Sequence, residues 1–545
     1  MTAVFQTPTS TRVMNLAYWS THNARRLSDH VAFVWGDKSW TWAEFDARVS
    51  AFAAALAERG VGPGCTVLVH SKNSNEMFES MFATFRLGAI WVPTNFRLMP
   101  DEVVYIASKA KSQVFLCQSD FPEYAAAVCK AQPRTQVIWL TGAELPRDGG
   151  LRAAELVEAG LGCTVPNAAV DRDTPCWFLF TSGTTGKPKA AVLTHGQMAF
   201  VVNNHLSDLL PGTDYRDGSL VVAPLSHGAG VHQLIMASRG GKTVLLPSEK
   251  FSADQAFELI EKYRLTNMFT VPTILKMLVE HPSVDLRDHS SLRYVVYAGA
   301  PMYEVDKKLA LDKLGPVLVQ YYGLGEVTGN ITVLPPQEHC GEGAVARAGT
   351  CGYERTGIEV SVQDDDGNEL AYGETGEICV VGPAVFLGYY DDPAANAKAF
   401  RNGWFRTGDL GYMDHDGYVY LTGRHSDMYI SGGSNIYPRE LEEKILTHED
   451  VAEVAVLGLP DHQWGEVGVA VCVLRPGATL NEERLLDWMS TRIARYKIPK
   501  RVYFWEELPK SGYGKVPKRL VKDELARRGV SVELEIVKEK SDASH

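Results

Sequence analysis

The sequence predicts an α/β protein with a large N-terminal domain of mixed, mainly parallel sheets with helices, and a small α+β C-terminal domain. Short apolar strands alternate with amphipathic helices through most of the chain, which is the pattern of a largely parallel sheet. The pattern changes after Arg424, and 545 residues exceed one ordinary domain. We therefore expect domains at residues 1–424 and 425–545.

Composition narrows the class of protein. Hydrophobic residues make up 45% and charged residues 22%, as in a globular chain, and the net charge of −12 argues against general nucleic-acid binding. The sequence contains no apolar run of transmembrane length, and residues 1–12 lack a signal-peptide core. Nine cysteines without a C-x-x-C pair predict the reduced thiols of a cytoplasmic enzyme rather than disulfides or a zinc site.

The N-terminal elements follow from local patterns. Thr41 with Glu44 matches a capping box, and a helical apolar stripe follows it. Residues 65–70 predict a buried strand, and a second helix is expected between that strand and residue 87. Residues 141–173 are poorly periodic and rich in Gly, Ala and Asp, which predicts a surface connection.

The densest polar stretch predicts a phosphate-binding loop. Glycines let backbone N–H groups approach an anion, hydroxyls add donors and lysine adds charge. The spacing differs from that of the common P-loop. Apolar runs at 176–180 and 190–193 predict that strands flank the loop at a sheet edge. The loop residues are Thr181, Ser182, Gly183, Thr184, Thr185, Gly186 and Lys187.

Two further strands end in glycine-containing turns. Residues 295–297 lead into Gly299, Ala300 and Pro301, and residues 317–321 lead into 322–326, which predicts a crevice at the strand ends. Ser252 with Gln255 predicts another capped helix.

Three other patterns contain possible metal ligands, and we expect each of them to have a structural role instead. His227 and His232 bracket two glycines, which argues against a helix that presents both to a metal. The Asp-rich segments 364–367 and 414–417 are expected to be hairpin turns rather than metal sites.

The C-terminal part has its own short elements. Residues 454–457 and 467–473 predict strands, and Asn481 is the expected cap of a helix. The apolar face predicted for that helix consists of Leu485, Trp488, Met489, Ile493 and Tyr496.

Five motifs in order resemble the adenylate-forming superfamily of acyl-CoA synthetases, firefly luciferase and peptide-synthetase adenylation domains. The resemblance covers nearly the whole chain and implies that a carboxylic acid attacks the α-phosphate of ATP. The motifs are residues 181–189, 322–326, 404–409, 423–424 with 430–438, and 508–510 with 514–515.

The resemblance implies a role for each nucleotide-site residue. The hydroxyl-rich loop with Lys187 would hold the β- and γ-phosphates, and Glu326 would bind Mg²⁺. Asp409 and Arg424 would hold the ribose, because carboxylate oxygens accept hydrogen bonds from its hydroxyls. Tyr322 and the 299–301 turn would enclose the adenine.

The same resemblance assigns two tasks to the C-terminal domain. Lys515 would bridge the acyl carboxylate and the α-phosphate during adenylation. The domain would then rotate about a hinge at Ser426, and the turn formed by Ser431, Gly432 and Gly433 would line the path of the CoA thiol.

The acyl pocket is expected to be lined by His227 as an aromatic gate, Gly323 at the floor, and Tyr321, Tyr297 and Val231 at the walls. A glycine at 323 is expected to leave depth for a medium-chain or aromatic acid. The chain departs from the family pattern at Gly325, where threonine is usual, and Thr328 is one candidate replacement. Ala190 and Ser426 also depart from it.

The function predicted from these motifs is acid–CoA ligation. ATP, Mg²⁺ and CoA are expected as cofactor and co-substrates, and a homodimer is one expected assembly. Two alternatives stay open at this point: an adenylating enzyme that loads a carrier-protein thiol, and a catalytically silent acyl or nucleotide sensor suggested by Gly325.

Overall fold

The computed structural model describes residues 12–143, 150–182, 187–247, 250–300, 302–424, 426–432, 434–510 and 516–530. The strands of these residues form four sheets, and helices cover their faces. The predicted α/β class is confirmed. None of the helices in these ranges is long and apolar enough to cross a membrane, and the nine cysteines form no disulfide.

The six-stranded sheet carries the strand that leads into the phosphate-loop motif. Its order is Gln136–Leu140, Val114–Gln118, Thr66–His70, Ile90–Thr94, Pro175–Ser182, Pro188–Thr194. Its strands are parallel except for the last pair, an antiparallel hairpin in which Phe180 lies opposite Ala190. The predicted hairpin at the sheet edge is confirmed.

The nine-stranded sheet holds the other site motifs. Its order is Tyr353–Glu354, Thr332–Leu334, Leu318–Tyr322, Tyr294–Tyr297, Asn267–Thr270, Gly218–Val221, Lys242–Leu245, Val31–Trp35, Lys38–Thr41. The six strands from Leu318–Tyr322 to Val31–Trp35 are parallel. Tyr297 pairs with Gln320, so the two predicted turns leave the sheet at one edge.

The five-stranded sheet is antiparallel. It consists of Glu359–Gln363, Gly376–Val381, Trp404–Met413, Phe400–Arg401 and Val419–Arg424. The predicted turn at 414–417 is confirmed, because Asp414 Oδ1 accepts from the N–H groups of Asp416 and Tyr418 at 3.0 and 2.9 Å. Asp364 Oδ1 likewise accepts from the N–H of Asp366 at 2.9 Å.

The C-terminal sheet has a separate apolar core that includes Tyr429, Val456 and Leu485. Its strands are Ser434–Ile436, Tyr429–Ser431, Gly465–Leu474, Val451–Asp461 and Arg501–Trp505. Asn481 caps the helix Glu482–Ser490 by accepting from the N–H of Arg484 at 2.9 Å, as predicted. The helix ends before Ile493 and Tyr496, so these two residues do not belong to its apolar face.

Several helices begin at local capping signals. Thr41 and Glu44 form the reciprocal capping box, and the side chain of Ser252 accepts from the N–H of Gln255. The α-helices are Tyr18–Arg26, Trp42–Ala57, Asn75–Arg86, Pro100–Ala110, Pro122–Ala131, Ala153–Gly160, His195–Asp208, Gly228–Arg239, Ala253–Tyr263, Pro272–Glu280, Ser283–Leu286, Glu304–Leu314, Gly341–Ala346, Pro393–Ala399, Pro438–Ile445, Glu482–Ser490 and Lys518–Arg527.

Two of these helices contradict the expectations. Ala153–Gly160 lies in the segment expected to be a surface connection, and it buries Ala153 and Val157. Gly228–Arg239 is a helix although its glycines argued against one that presents His227 and His232 to a metal; His227 precedes this helix and His232 lies within it. Gly230 is required by close packing, because any Cβ there would collide with the carbonyl oxygen of Leu225. The burial of Val231, Leu234 and Ile235 then holds the helix against the core.

The largest apolar cluster joins the six- and nine-stranded sheets. It contains Val69 and Trp177 from one sheet, and Phe269 and Val319 from the other. The helix Gly228–Arg239 packs within the same cluster. The two sheets therefore share one core, and the strand ends that carry the predicted site motifs are held in a fixed relation to each other.

Candidate active site

A buried carboxylate lies where segments that adjoin three sheets converge. Glu326, in a short 3₁₀ helix just beyond the strand Leu318–Tyr322, is only 5% exposed. Thr181, at the end of a strand of the six-stranded sheet, donates from Oγ1 to Glu326 Oε1 at 2.8 Å. Tyr389 donates from its hydroxyl to the same oxygen at 3.0 Å. The structure thus brings Thr181 and Glu326 together, as the motifs required.

Tyr389 is a site residue that the sequence analysis missed. It lies far along the chain from the phosphate loop, and backbone hydrogen bonds between residues 387–390 and 190–192 bring it to the edge strand. The Lys189 ammonium lies 5.0 Å from the centroid of the Tyr389 ring. Burial and the neighbouring Glu326 raise the pKa of the Tyr389 phenol, which therefore remains a proton donor to Glu326.

The Glu326 carboxylate fits a magnesium ligand. Both of its hydrogen bonds from described residues end on Oε1, and within the described ranges no cation pairs with it. Oε2 is a hard oxygen of the kind that Mg²⁺ prefers, and Mg²⁺ commonly takes one or two carboxylates, with phosphates and water completing its shell. The described residues contain no cluster of three or more acidic, His or Cys ligands, which agrees with such a site.

A second cluster joins three residues predicted to hold the nucleotide. Tyr322 donates from its hydroxyl to Asp409 Oδ2 at 2.7 Å, and Arg424 Nε lies 2.8 Å from Asp409 Oδ1. Asp409 is buried, and its charge is the main cause that raises the pKa of Arg424. Asp409 and Arg424 face each other across paired strands of the five-stranded sheet. That pairing fixes the carboxylate beside the guanidinium.

The phosphate loop is described only at its two ends. Gly183, Thr184, Thr185 and Gly186 lie outside the described residues, as does the side chain of Ser182. Lys187 is exposed, and its ammonium lies 5.6 Å from the centroid of the Tyr105 ring. The roles assigned to these residues therefore stay predictions.

Gly325 departs from the family pattern for a local packing reason. A Cβ at this position would lie 2.7 Å from Leu179 Cδ2 and 3.0 Å from Thr181 Cγ2. The side chains of Leu179 and Thr181 therefore occupy the volume that a threonine would need. Thr328 is buried, and its hydroxyl accepts from Gln197 Nε2 at 2.8 Å, which still leaves its O–H proton available to a ligand.

The adenine turn is partly described. Gly299 adopts a positive φ of 85° directly after the strand Tyr294–Tyr297, and Ala300 is partly exposed beside it. Pro301 lies outside the described residues. Because this strand runs parallel to Leu318–Tyr322, the turn and Tyr322 leave the sheet at the same edge.

The predicted wall residues of the acyl pocket do not all share one side of the sheet. Tyr321 and Val231 belong to the core between the two sheets, next to the helix that His227 precedes. Tyr297 is 1% exposed in the core on the opposite face, where its hydroxyl donates to Gln320 Oε1 at 2.9 Å. Tyr297 lies opposite Gln320, and Tyr321 follows Gln320 in the same strand. Because successive residues of a strand point to opposite faces, Tyr297 and Tyr321 lie on different faces of the sheet, and the predicted placement of Tyr297 in this pocket is wrong.

Gly323 does not leave open space. A Cβ built there would lie 2.5 Å from the carbonyl carbon and 2.6 Å from the Cα of Gly329. A Cβ on Gly329 would in turn lie 2.9 Å from Tyr321 Cζ. Backbone fills the expected depth, so the expectation that Gly323 sets the pocket floor by leaving room is wrong. The Tyr321 ring, whose centroid lies 5.9 Å from that of Phe269, packs against Gly329.

The C-terminal turn and hinge are described in part. Gly432 has a φ of 56° and donates from its N–H to the Trp464 carbonyl at 2.9 Å. Ser426 donates from Oγ to Asp427 Oδ1 at 3.2 Å, and the N–H of Asp427 donates to the Arg424 carbonyl. Ser431 is partly buried at the end of its strand. Gly433 and Lys515 lie outside the described residues, and their roles stay predictions.

Comparison with known proteins identifies a family that agrees with this fold and these motifs. The AMP-binding enzyme family matches residues 20–390, and the AMP-binding enzyme C-terminal domain matches residues 440–515. The chain therefore belongs to the AMP-binding enzyme family. Within it, the chain shares the enzyme class of its relatives and is an AMP-forming acyl-CoA synthetase.

Three of the similar proteins show how far the likeness extends. An indoleacetate–CoA ligase from Aromatoleum aromaticum is 34% identical, over 94% of this chain and 99% of its own. A feruloyl-CoA synthase from Amycolatopsis is 36% identical, over 95% of this chain and 99% of its own. The structure of the amide bond synthetase McbA from Marinactinospora thermotolerans has a TM-score of 0.83 at 29% identity, over 93% of this chain and 99% of that one.

The Glu326 site predicts that removing the charge of this residue lowers the rate of adenylation and raises the Mg²⁺ requirement. Glu326→Gln keeps an oxygen for Thr181 and Tyr389 but removes the charge, so we expect adenylation to fall by about 100-fold, the scale of one electrostatic contact in a closed site. The Mg²⁺ concentration for half-maximal pyrophosphate release should also rise. Glu58→Gln, on an exposed helix end, is the matched control. An unchanged metal dependence in Glu326→Gln would reject the metal assignment.

The packing of Gly323 predicts a change in stability rather than in specificity. Gly323→Ala forces a methyl group against the Gly329 backbone, and overpacking of this kind costs about 1–3 kcal/mol. We expect a lower unfolding temperature and a loss of activity on all acids alike. Gly62→Ala, where a Cβ meets nothing within 4 Å, is the control. A stable Gly323→Ala variant that only shifts acid preference would restore the original pocket assignment.

Proposed function

We propose that this acyl-CoA synthetase activates an aromatic carboxylic acid. The observation that carries the proposal is the stacked pair Tyr321 and Phe269, whose planes differ by 16° and whose side chains both lie against Gly228, next to His227. We take this pair as the end of the acyl cleft. Aromatic walls that stop the cleft favour a flat, short acid over a long alkyl chain. Relatives named for indoleacetate and ferulate support the same class.

In the first half-reaction the acid's carboxylate oxygen bonds to the α-phosphorus of ATP, and the bond from that phosphorus to the β-phosphate oxygen breaks. Both reactants are anionic, so cationic and N–H or O–H groups must offset the developing charge. We assign this task to the phosphate loop with Lys187, and to Lys515 at the reacting centre. We propose that Asp409, Tyr322 and Arg424 hold the nucleoside, and the hydrogen bond and ion pair among them keep the three side chains together.

A magnesium ion held by Glu326 would neutralise phosphate charge and help pyrophosphate to leave. Thr181 and Tyr389 orient the carboxylate by donating to Oε1. Thr181 also leads into the phosphate loop. Its hydrogen bond to Glu326 therefore links the proposed magnesium ligand to the residues proposed to hold the phosphates.

In the second half-reaction the CoA sulfur bonds to the acyl carbon, and the bond from that carbon to the AMP oxygen breaks. The thiol loses its proton to the surroundings. We propose that the turn at Ser431 and Gly432 lines the thiol path after the C-terminal domain rotates about Ser426. Glycine is needed at 432, because a Cβ there would lie 2.8 Å from Trp464 Cε3.

The test is pyrophosphate release across benzoate, phenylacetate, indoleacetate and cinnamate, with hexanoate, decanoate and palmitate as aliphatic comparisons. Each acid is assayed with CoA, with an acyl carrier protein and with an amine as acceptor. We expect the highest kcat/KM with an aromatic acid and CoA. A preference for palmitate would reject the aromatic class, and a thioester formed only on the carrier protein would reject CoA as the acceptor.

The assignment of the two half-reactions predicts opposite effects of two variants. Lys515→Ala should lower adenylate formation by at least about 100-fold, since it removes the charge at the reacting centre, yet still convert a supplied acyl adenylate to the CoA thioester. Gly432→Ala should mainly slow thioester formation, because it strains a left-handed residue by about 1 kcal/mol and displaces Trp464. Single-turnover assays separate the two steps. Equal losses in both steps for both folded variants would contradict the assignment.

A further inference from the structure

A fully buried arginine lies behind the aromatic end of the acyl cleft. The side chain of Arg355 has no exposed surface. Its Nη1 donates to the Gly329 carbonyl at 3.4 Å, while its Nη2 lies 3.2 Å from His205 Nδ1, which is also 2.9 Å from the Val201 carbonyl oxygen. Burial lowers the pKa of Arg355 to about 10, which still leaves the guanidinium charged at neutral pH. Burying such a charge is costly unless close partners compensate it.

The partners of Arg355 compensate its charge only in part. Burial and the nearby Arg355 lower the pKa of His205 well below its usual value, so this imidazole is neutral. The nearest carboxylate, Asp208, has Oδ2 3.7 Å from Arg355 Nε. Its oxygens already accept from Thr356 N at 2.9 Å, Thr356 Oγ1 at 2.8 Å and Asn204 Nδ2 at 3.0 Å. Asp208 therefore lies beyond hydrogen-bond distance of the guanidinium, whose Nη1 faces the Gly329 carbonyl.

Gly329 connects this cluster to the cleft. A Cβ on Gly329 would lie 3.1 Å from the Tyr321 hydroxyl oxygen, so the phenol rests on the residue whose carbonyl Arg355 binds. The rings of His205 and Tyr321 are 5.9 Å apart. On the other side, a Cβ on Gly228 would lie 3.6 Å from the same hydroxyl. Tyr321 thus lies between the buried Arg355 guanidinium and Gly228, the first residue of the helix that follows His227.

The Tyr321 hydroxyl differs from its neighbours in having no hydrogen bond from any described residue. The hydroxyls of Tyr322 and Tyr389 donate to Asp409 and Glu326, respectively. Tyr321 is partly exposed, whereas a buried phenol usually finds a partner. Burial raises the pKa of the Tyr321 phenol, which therefore stays protonated and can donate, and the positive charge of Arg355 partly opposes that rise. A phenol polarised in this way is a stronger donor than an isolated one.

We propose that the Tyr321 hydroxyl, polarised by Arg355 across Gly329, donates a hydrogen bond to an oxygen on the end of the acid opposite its carboxyl group. This inference rests on the proposed aromatic acid and narrows it to aryl acids with a distal oxygen, such as a ring hydroxyl. Tyr321 is then a specificity-determining residue that contacts the acid. Arg355 is a positioning residue that acts through Tyr321 and does not contact the acid.

The test compares pairs of acids that differ only at the distal ring position. Benzoate, phenylacetate and cinnamate are each assayed with a para-hydroxyl or a para-methyl group, which are close in size. The readout is the ratio of kcat/KM for the hydroxyl acid over the methyl acid. In the wild type we expect a ratio of about 10 or more, because a buried donor left unpaired by the methyl acid is penalised. A ratio near or below one would overturn the proposal.

Two variants and one control assign that ratio to named residues. Tyr321→Phe keeps the ring against Gly329 and Phe269 but removes the hydroxyl, and it should bring the ratio close to one. Arg355→Met combined with Asp208→Asn removes both buried charges and should lower the ratio by about threefold, a loss that a purely structural role would not produce. Tyr372→Phe, on the surface, is the matched control and should keep the wild-type ratio. Thermal unfolding reports whether each variant is folded.

The outcomes distinguish this inference from the proposed function. If no aromatic acid releases pyrophosphate while decanoate or palmitate does, the aromatic class fails and the Tyr321 proposal fails with it. If aromatic acids react but Tyr321→Phe leaves the wild-type ratio unchanged, the Tyr321 proposal alone is wrong. If Tyr321→Phe lowers the ratio and the double variant does not, the role of Arg355 is wrong.

Discussion

The Glu326 carboxylate is the point on which the arrangement of the site depends. It accepts from Thr181 at the end of one sheet and from Tyr389 near another, and it follows directly from a strand of a third. A buried carboxylate must keep its donors, since losing one costs far more than a surface contact would. The strand end at Thr181 and the turn at Glu326 are therefore held together, as the proposed nucleotide site requires.

A second constraint is the close approach of backbone around Tyr321. Gly228 and Gly329 lack side chains where a Cβ would meet the Tyr321 or Phe269 ring, and Gly323 lies against Gly329. Glycine at these positions makes space for neighbouring groups rather than for the substrate. The proposed acyl cleft would consequently end at Tyr321, a residue that a linear motif places only beside Tyr322.

Buried charge extends this constraint to Arg355. Its guanidinium faces a neutral imidazole and a peptide carbonyl, while the nearest carboxylate is held by Thr356 and Asn204. Buried ion pairs are weak grounds for stability, which is why we propose a role for this arginine at the neighbouring Tyr321.

The sequence by itself determined the α/β class, the hairpin around the phosphate loop, the capped helices at Thr41, Ser252 and Asn481, and the grouping of Asp409 with Arg424. These follow from local signals such as turn chemistry, caps, periodicity and compact motifs, which act over a few residues. Only the tertiary structure decided that Tyr389 reaches Glu326, that Tyr297 points away from the cleft, and that backbone fills the space beside Gly323. Those outcomes depend on strand register and on contacts between distant segments, for which a linear pattern carries no signal. The helix that begins at Gly228 belongs to the same group, because tertiary burial outweighed the low helix propensity of glycine.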